Sequence, residues 1–211
     1  MKKLFTSLLL IALVCTMLVG CGINDEDAIK QVVCDFYQAG FNWDFQTMKD
    51  CVAPEVPIYD SYETSKNTYL QKAANGFMVE ADIDKFMALD RELDKKLGEA
   101  IEYRNWNVSI SGNTATVMLT VAGAGVDFDK ILTEDGKFAY RDGLFTQVCG
   151  MDETTAKENL SPEEFSAVHL QVQDLEYQLW LENLSQAEKT AEIQLRKEGG
   201  RWMISNILPA E

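Results

Sequence analysis

The sequence predicts an α+β domain, with N-terminal helices packed on an antiparallel sheet of about four strands, behind a separate N-terminal leader. Three observations lead there. Apolar residues recur at spacings of three and four from Ala28 to Val52 and again from Ile83 to Leu97, the period of a helix with one buried face. The period falls to two over residues 105–121 and 191–204, each run interrupted by a turn, Ser111-Gly112-Asn113 and Glu198-Gly199-Gly200, which is the pattern of a half-buried β-hairpin. Residues 4–20 are almost wholly apolar and follow Lys2 and Lys3, the layout of a signal peptide.

The leader comes first in the chain. As a helix it would span about 26 Å, short of the ~30 Å of a bilayer core, and no other stretch is long and apolar enough to cross one. It ends in Leu18-Val19-Gly20-Cys21, which resembles the bacterial lipobox. That resemblance implies cleavage after Gly20 and lipidation of Cys21, whose thiolate is the nucleophile such a transfer needs. Two acyl chains on one residue hold a protein to a membrane stably where one does not. The expected products are a signal peptide over 1–20, a short tether over 21–25 and one domain over 26–211, held on the outer face of the bacterial cytoplasmic membrane.

Each element of that domain has a local reason. Asn24 or Asp25 caps a first helix whose opening turn holds Glu26 and Asp27, where the helix dipole favours acids. Its inward face is Ala28, Ile29, Val32, Val33, Phe36, Tyr37 and Gly40. Asn42-Trp43 turns the chain, Asp44 caps a shorter helix, and Pro54 and Pro57 end it. Thr68 to Ala74 reads as helix up to the Asn75-Gly76 break. Asp82 opens a helix with Ile83, Phe86, Met87, Leu93 and Leu97 on one stripe. In the first hairpin Trp106, Val108 and Ile110 alternate with Asn105, Asn107 and Ser109 on one strand, and Ala115, Val117, Leu119 and Val121 alternate with polar residues and Met118 on the other. Residues 126–150 carry helical spacing weakened by Gly136 and Gly143. Residues 162–184 fit either a helix or a bulged strand. The Ser161-Pro162-Glu163-Glu164 capping box favours the helix. The last hairpin turns Ala191, Ile193, Leu195, Trp202 and Ile204 inward.

Composition limits the partners. The chain has 34 Asp+Glu against 19 Lys+Arg, and loss of Lys2 and Lys3 with the leader takes the formal net charge from −15 to −17. Such a charge disfavours nucleic acid and anionic lipid headgroups, leaving the lipid on Cys21 as the link to the membrane and a small molecule or an envelope protein as the partner. Cys34, Cys51 and Cys149 remain after the leader and Cys21 are accounted for. There is no CxxC pair or Cys/His cluster, so no metal or other cofactor is expected. Cys34 and Cys51 lie symmetrically about the Asn42-Trp43 turn and could bridge; the alternative is three free thiols, which a domain with a good core tolerates.

Two stretches carry a wider resemblance. "FYQAGFNWDFQTMKDCVAPEV", residues 36–56, and "TAEIQLRKEGGRWMISNI", residues 190–207, resemble the cystatin-like group, and within it the nuclear transport factor 2-like lipoproteins of Gram-positive bacteria. These are packing motifs. The resemblance implies a cone in which helices lid a curved sheet and a pocket lies on its concave face. It does not choose a chemistry, because the group includes isomerases, cyclases, immunity proteins and binding modules.

Candidate site residues follow from that pocket. His169, the only histidine, and Asp127 or Asp129 are candidates for a catalytic base of the isomerase or cyclase type. A core histidine bonded to a backbone carbonyl, and helix-capping or solvated aspartates, are the plainer readings. Trp106, Tyr140, Tyr177, Trp180 and Trp202 are candidates to line an aromatic ligand site, with core packing as the alternative. With no convergent set of polar residues in the sequence, a non-catalytic binding module is the expectation. An enzyme, and an envelope sensor or immunity partner for a basic protein, stand as alternatives.

Overall fold

The computed structural model describes residues 24–123, 125–132 and 136–208. The leader, Cys21 and most of the tether lie outside them. The described chain is α+β, with seven α-helices and one four-stranded antiparallel sheet. In order they are α1 (Asp25–Phe41), α2 (Phe45–Cys51), α3 (Ser61–Ala74), α4 (Ile83–Ala100), β1 (Glu102–Ser111), β2 (Thr114–Ala122), α5 (Gly136–Cys149), α6 (Glu153–Asn159), α7 (Pro162–Glu182), β3 (Glu188–Glu198) and β4 (Arg201–Leu208). The sheet order is β1-β2-β3-β4, so β2 and β3 pair across the whole helical insertion α5–α7.

The helices begin where side chains can satisfy free backbone donors. Asn24, Asp44, Asp60, Asp152 and Ser161 each accept a hydrogen bond from an N–H of the turn they open, the usual work of these residue types. Two of these starts extend the sequence reading. Asp60 caps an α3 that begins at Ser61, seven residues before the expected Thr68, and Asp152 opens α6, a seven-residue helix with too short an apolar pattern to stand out. Gly136 and Gly143 do not prevent α5, and residues 162–182 are helix, with both halves of the capping box formed.

One face of the sheet takes α1 and α2. Ile29, Val33 and Phe36 of α1 pack with Val117, Leu119, Ile193, Leu195, Trp202 and Ile204 in a continuous apolar core. The resemblance implied a pocket on the helix-covered side of the sheet, but α1 lies directly on it and these side chains fill the space. The opposite face carries Thr116, Thr120, Glu192, Gln194 and Arg196, the polar alternates of the same strands. A bulge between Arg104 and Asn107 shifts the β1–β2 register, with Asn105 at φ 53°, a left-handed conformation asparagine tolerates. The extra residue lets Tyr103 and Trp106 both pack toward the core. After α2, Val52 bridges to Ile204 and Ala53 N–H donates to the Ile204 carbonyl at 2.8 Å, covering the β4 edge.

The other helices form a second body at the far end of α1. Tyr69, Met78, Ile83, Phe86 and Met87 make one apolar cluster, and Phe145, Ala156, Phe165 and Val172 another. α4 joins this body to α1 by a close approach: a Cβ on Gly98 would lie 2.7 Å from Phe41 Cβ, so only glycine lets the two helices sit this near.

Candidate functional site

Polar groups are buried in the second body, along α7. Ser166, His169, Gln173 and Glu176 are buried and recur at intervals of three, four and three, one stripe of a helix. α3, α4, α5 and the segment that joins α3 to α4 supply their partners. Ser166 Oγ donates to Asp82 Oδ2 at 2.7 Å and accepts from Val79 N–H at 3.2 Å. Gln173 Nε2 lies 2.9 Å from Tyr69 Oη, 3.0 Å from Asp90 Oδ1 and 2.9 Å from Tyr177 Oη. Both tyrosine hydroxyls donate to Asp90, Tyr69 at 2.7 Å to Oδ2 and Tyr177 to Oδ1. Burial, then the Asp90 charge, push both phenols far above their ordinary range, so they remain donors.

Arg141 of α5 closes the seam. Its Nε donates to Glu153 at 2.9 Å, Nη1 to Glu176 at 3.4 Å, and Nη2 lies 2.5 Å from His169 Nε2. His169 Nδ1 is 2.8 Å from the Phe77 carbonyl. A carbonyl can only accept and a guanidinium can only donate, so the imidazole is neutral, with its proton on Nδ1. Burial among the rings of Phe86, Phe145 and Phe165 lowers its pKa to about 4, the Phe77 bond opposing and the Arg141 charge adding to the shift. Lys72 is half-buried with its ammonium 4.7 Å from the centre of the Tyr69 ring, and burial lowers its pKa.

The sequence candidates scatter. His169 has both ring nitrogens engaged and offers no free lone pair to a substrate. Asp127 lies in the turn after β2, paired with Lys130 at 3.0 Å, and Asp129 is exposed. Trp202 is a core residue, 2 % exposed, its indole N–H donating to Asp25 Oδ1 at 3.0 Å. Trp106 packs against the same core and donates to the Tyr103 carbonyl at 3.3 Å. Tyr177 belongs to the Asp90 network. Trp180 packs on Tyr177 and Phe128. Tyr140 is half-buried and, among the described residues, its hydroxyl has no hydrogen-bond partner; burial raises its pKa to about 12. The suggested aromatic set therefore divides between two bodies and lines no common site. Cys34 and Cys51 do not bridge: both are free thiols, as is Cys149. Cys51 is in the core, where burial raises its pKa to about 11 and its charged neighbours include Asp35 and Arg201 of β4. Cys34 is half-buried on α1, where burial and then the Asp35 charge raise its pKa.

Three surface grooves accompany these elements. One of about 280 Å³ is lined by Phe36, Tyr37, Gly40, Phe41, Met48, Ser61 and Asp94. Another, of about 210 Å³, lies between Trp43, Tyr62, Asp84, Met87, Ala88 and Arg91. A third, about 160 Å³, runs between α4 and α7 beside Tyr177. Neither His169 nor Asp127 lines any of them. Trp43 links the first two: it holds φ 59°, an uncommon conformation for a bulky residue, and its indole N–H donates to Asp94 Oδ2 at 2.6 Å. Burial raises the Asp94 pKa, with the Trp43 bond opposing and Asp90 adding to the rise. Among the described residues no group of three or more His, Cys, Asp or Glu side chains could hold a metal ion, and no helix is long and apolar enough to cross a membrane.

No protein-family profile and no curated protein matches the chain. It is similar to one solved structure, the candidate lipoprotein ycdA of Bacillus subtilis, with a TM-score of 0.41 and 18% sequence identity over 68% of this chain and 41% of that one. The chain thus spans less than half the length of that protein.

The grooves and the seam were not legible as sites in the sequence. Ser166, Gln173 and Glu176 share the stripe of His169, and that recurrence was the available signal. Asp94 gave none, because it reads as one more acid on the wet side of α4.

Proposed function

We propose that the chain is an extracytoplasmic lipoprotein, anchored through Cys21 to the outer face of a bacterial membrane, whose folded part binds a partner and is not a catalyst. The observation that carries the reading is the cysteine that closes the apolar leader in Leu18-Val19-Gly20-Cys21. The placement of α1 supports it. The helix starts at Asp25, which meets Lys197 and Trp202 beside the β3–β4 turn. It ends at Phe41 against Gly98, close to where β1 begins. Its 17 residues cover about 25 Å. A lipid on Cys21 would thus put the sheet turns near the membrane and the second body, with its grooves, on the far side. The engaged nitrogens of His169 and the surface position of Asp127 favour binding over catalysis. We read α1 and the sheet as the cystatin-like frame that residues 36–56 and 190–207 resemble.

The test is expression of the full chain in a Gram-positive host, followed by membrane fractionation and mass analysis of the N-terminal peptide. The expected result is a chain beginning at Cys21 with a diacylglyceryl mass on it, and Cys21→Ala released from the membrane fraction. Soluble wild-type protein with an unmodified Cys21 would refute the anchor.

A further inference from the structure

The groove of about 280 Å³ between α1, α2 and α4 has walls of one chemistry and a single charge. Phe36, Tyr37, Phe41 and Met48 give it aromatic and thioether surface, and Asp94 stands in its lining. Asp94 is half-buried. One of its oxygens is taken by Trp43, and among the described residues no donor reaches the other and no Lys or Arg pairs with the carboxylate. The second oxygen of this half-buried carboxylate is open to solvent beside the aromatic rings of the groove, and the ligand chemistry that fits both is a cation with an apolar stem: the charge meets the carboxylate and the stem meets the rings. The strained backbone at Trp43 is consistent with a built site, since its indole fixes which carboxylate oxygen is left over.

We propose that this groove receives a lysine or arginine side chain presented by a partner protein. The proposal rests on the binding-module reading above and names its site and the partner's chemistry. A partner protein is favoured over a free amine because the segment that supplies the groove residue Ser61 is exposed and aromatic: its chain neighbours Tyr59 and Tyr62 are 80% and 45% exposed, and Tyr62 lines the adjoining groove with Trp43. A single amine would leave both untouched, whereas a polypeptide carrying the side chain would cover them. The acidic balance of the chain, 34 acids against 19 bases, complements a basic partner.

The reporter is the Met48 methyl, whose Cε lies 3.8 Å from a Cβ built on Gly40. The full chain in detergent, labelled with ¹³C-methyl methionine, is titrated with an acetylated, amidated Gly-Gly-Lys-Gly-Gly peptide, the same peptide with norleucine for lysine, and pentylamine. The lysine peptide is expected to shift the Met48 signal and the norleucine peptide to leave it unmoved. Asp94→Asn keeps an acceptor for Trp43 and should weaken the lysine peptide about tenfold or more. Gly40→Ala adds a Cβ at ordinary contact distance, so it should keep the fold while narrowing the groove and weakening the peptide. Equal shifts from the lysine and norleucine peptides would overturn the proposal, and this contrast needs no variant. Pentylamine binding as tightly as the peptide, with Tyr59→Ser without effect, would overturn the protein partner in favour of a free amine. Shifts at other methionines with none at Met48 would remove this groove and leave the binding-module reading standing. No shift from any probe would remove the groove as a cation site, while the anchor is judged separately by the lipid mass on Cys21.

Discussion

Where α1 meets the sheet, Ile29 and Val33 lie fully buried against Val117, Ile193 and Ile204, and the cluster around them is apolar throughout. Where α7 meets α3, α4 and α5, it brings Ser166, His169, Gln173 and Glu176, each no more than 5% exposed. Both contacts bury a helix face, by different physics. Apolar packing is non-directional and tolerates repacking at similar volume. A buried polar stripe is tolerated only when its partners are in place. Sliding α7 by one turn would part Ser166 from Asp82 and His169 from Phe77 together, so the seam fixes one position of the helix where grease alone would allow several.

The largest expected effect tests the apolar side of the comparison. Trp202→Ala removes the bulkiest side chain of the sheet core and should cost about 3–5 kcal/mol in urea unfolding. Trp202→Phe keeps most of the volume, loses the Asp25 hydrogen bond, and should cost much less. A loss under about 1 kcal/mol for the alanine variant would mean that this core is not what holds the sheet body.

Next in size is Arg141, which ties α5 to the polar side. Arg141→Met takes the guanidinium from His169 and from the Glu176 carboxylate, which is 6% exposed, and should cost about 3 kcal/mol or more, the penalty for stripping one member of a buried pair. The double variant Arg141→Met/Glu176→Leu should recover the part of that loss owed to Glu176, while Glu153 and His169, which also lose the guanidinium, keep the rest. Losses that simply add would show that the two side chains are not coupled.

A third effect depends on pH. The folded His169 stays neutral down to about pH 4, whereas an unfolded histidine protonates near 6.5. Between those values the unfolded state binds more protons. The contribution of the neutral ring is therefore fully present above pH 6.5, falls as pH drops, and is gone by pH 4, a loss of about 3 kcal/mol. His169→Gln, which can offer the same donor and acceptor, should flatten this part of the curve. Asp82, whose pKa is held low by Lys85 and Ser166, adds a further loss below it. An unchanged slope between pH 6.5 and 4 in the glutamine variant would assign the acid sensitivity elsewhere.

The same contrast explains what could be read in advance. The sheet body was legible because its inward positions are all apolar: Val117, Leu119, Ile193 and Leu195 alternate without exception, and turns mark both hairpins. The helical body was not. Residues 162–184 fit a bulged strand as well as a helix because Val168, Leu170 and Val172, and then Leu175, Tyr177, Leu179 and Leu181, are also spaced by two. The capping box resolved the choice, being a local signal that does not depend on burial. His169 was legible as a residue on a buried stripe, and its carbonyl bond is the plainer of its two readings. The partners of the stripe, Arg141 at His169 and Asp90 at Gln173, come from other helices, and spacing carries no information about them. The same holds for Asp94, which becomes distinctive only through the indole of Trp43, 51 residues away.

The smallest effect decides whether the two bodies are separable at all. Ser161 Oγ accepts from Glu164 N–H at 3.2 Å and Ser161 N–H donates to Glu164 at 2.9 Å. Ser161→Ala should cost about 1 kcal/mol, the usual worth of an N-cap. The location of the loss is more informative than its size. α7 carries the seam and has no share in the sheet core, so native-state hydrogen exchange should show faster opening at His169, Val172 and Gln173 while Val117, Leu119 and Ile193 keep their protection. If the strand amides loosen by the same factor, the sheet and the helical body open as one unit. The polar seam would then be an ordinary part of a single core, and the distinction drawn between the two helix contacts would have no thermodynamic meaning.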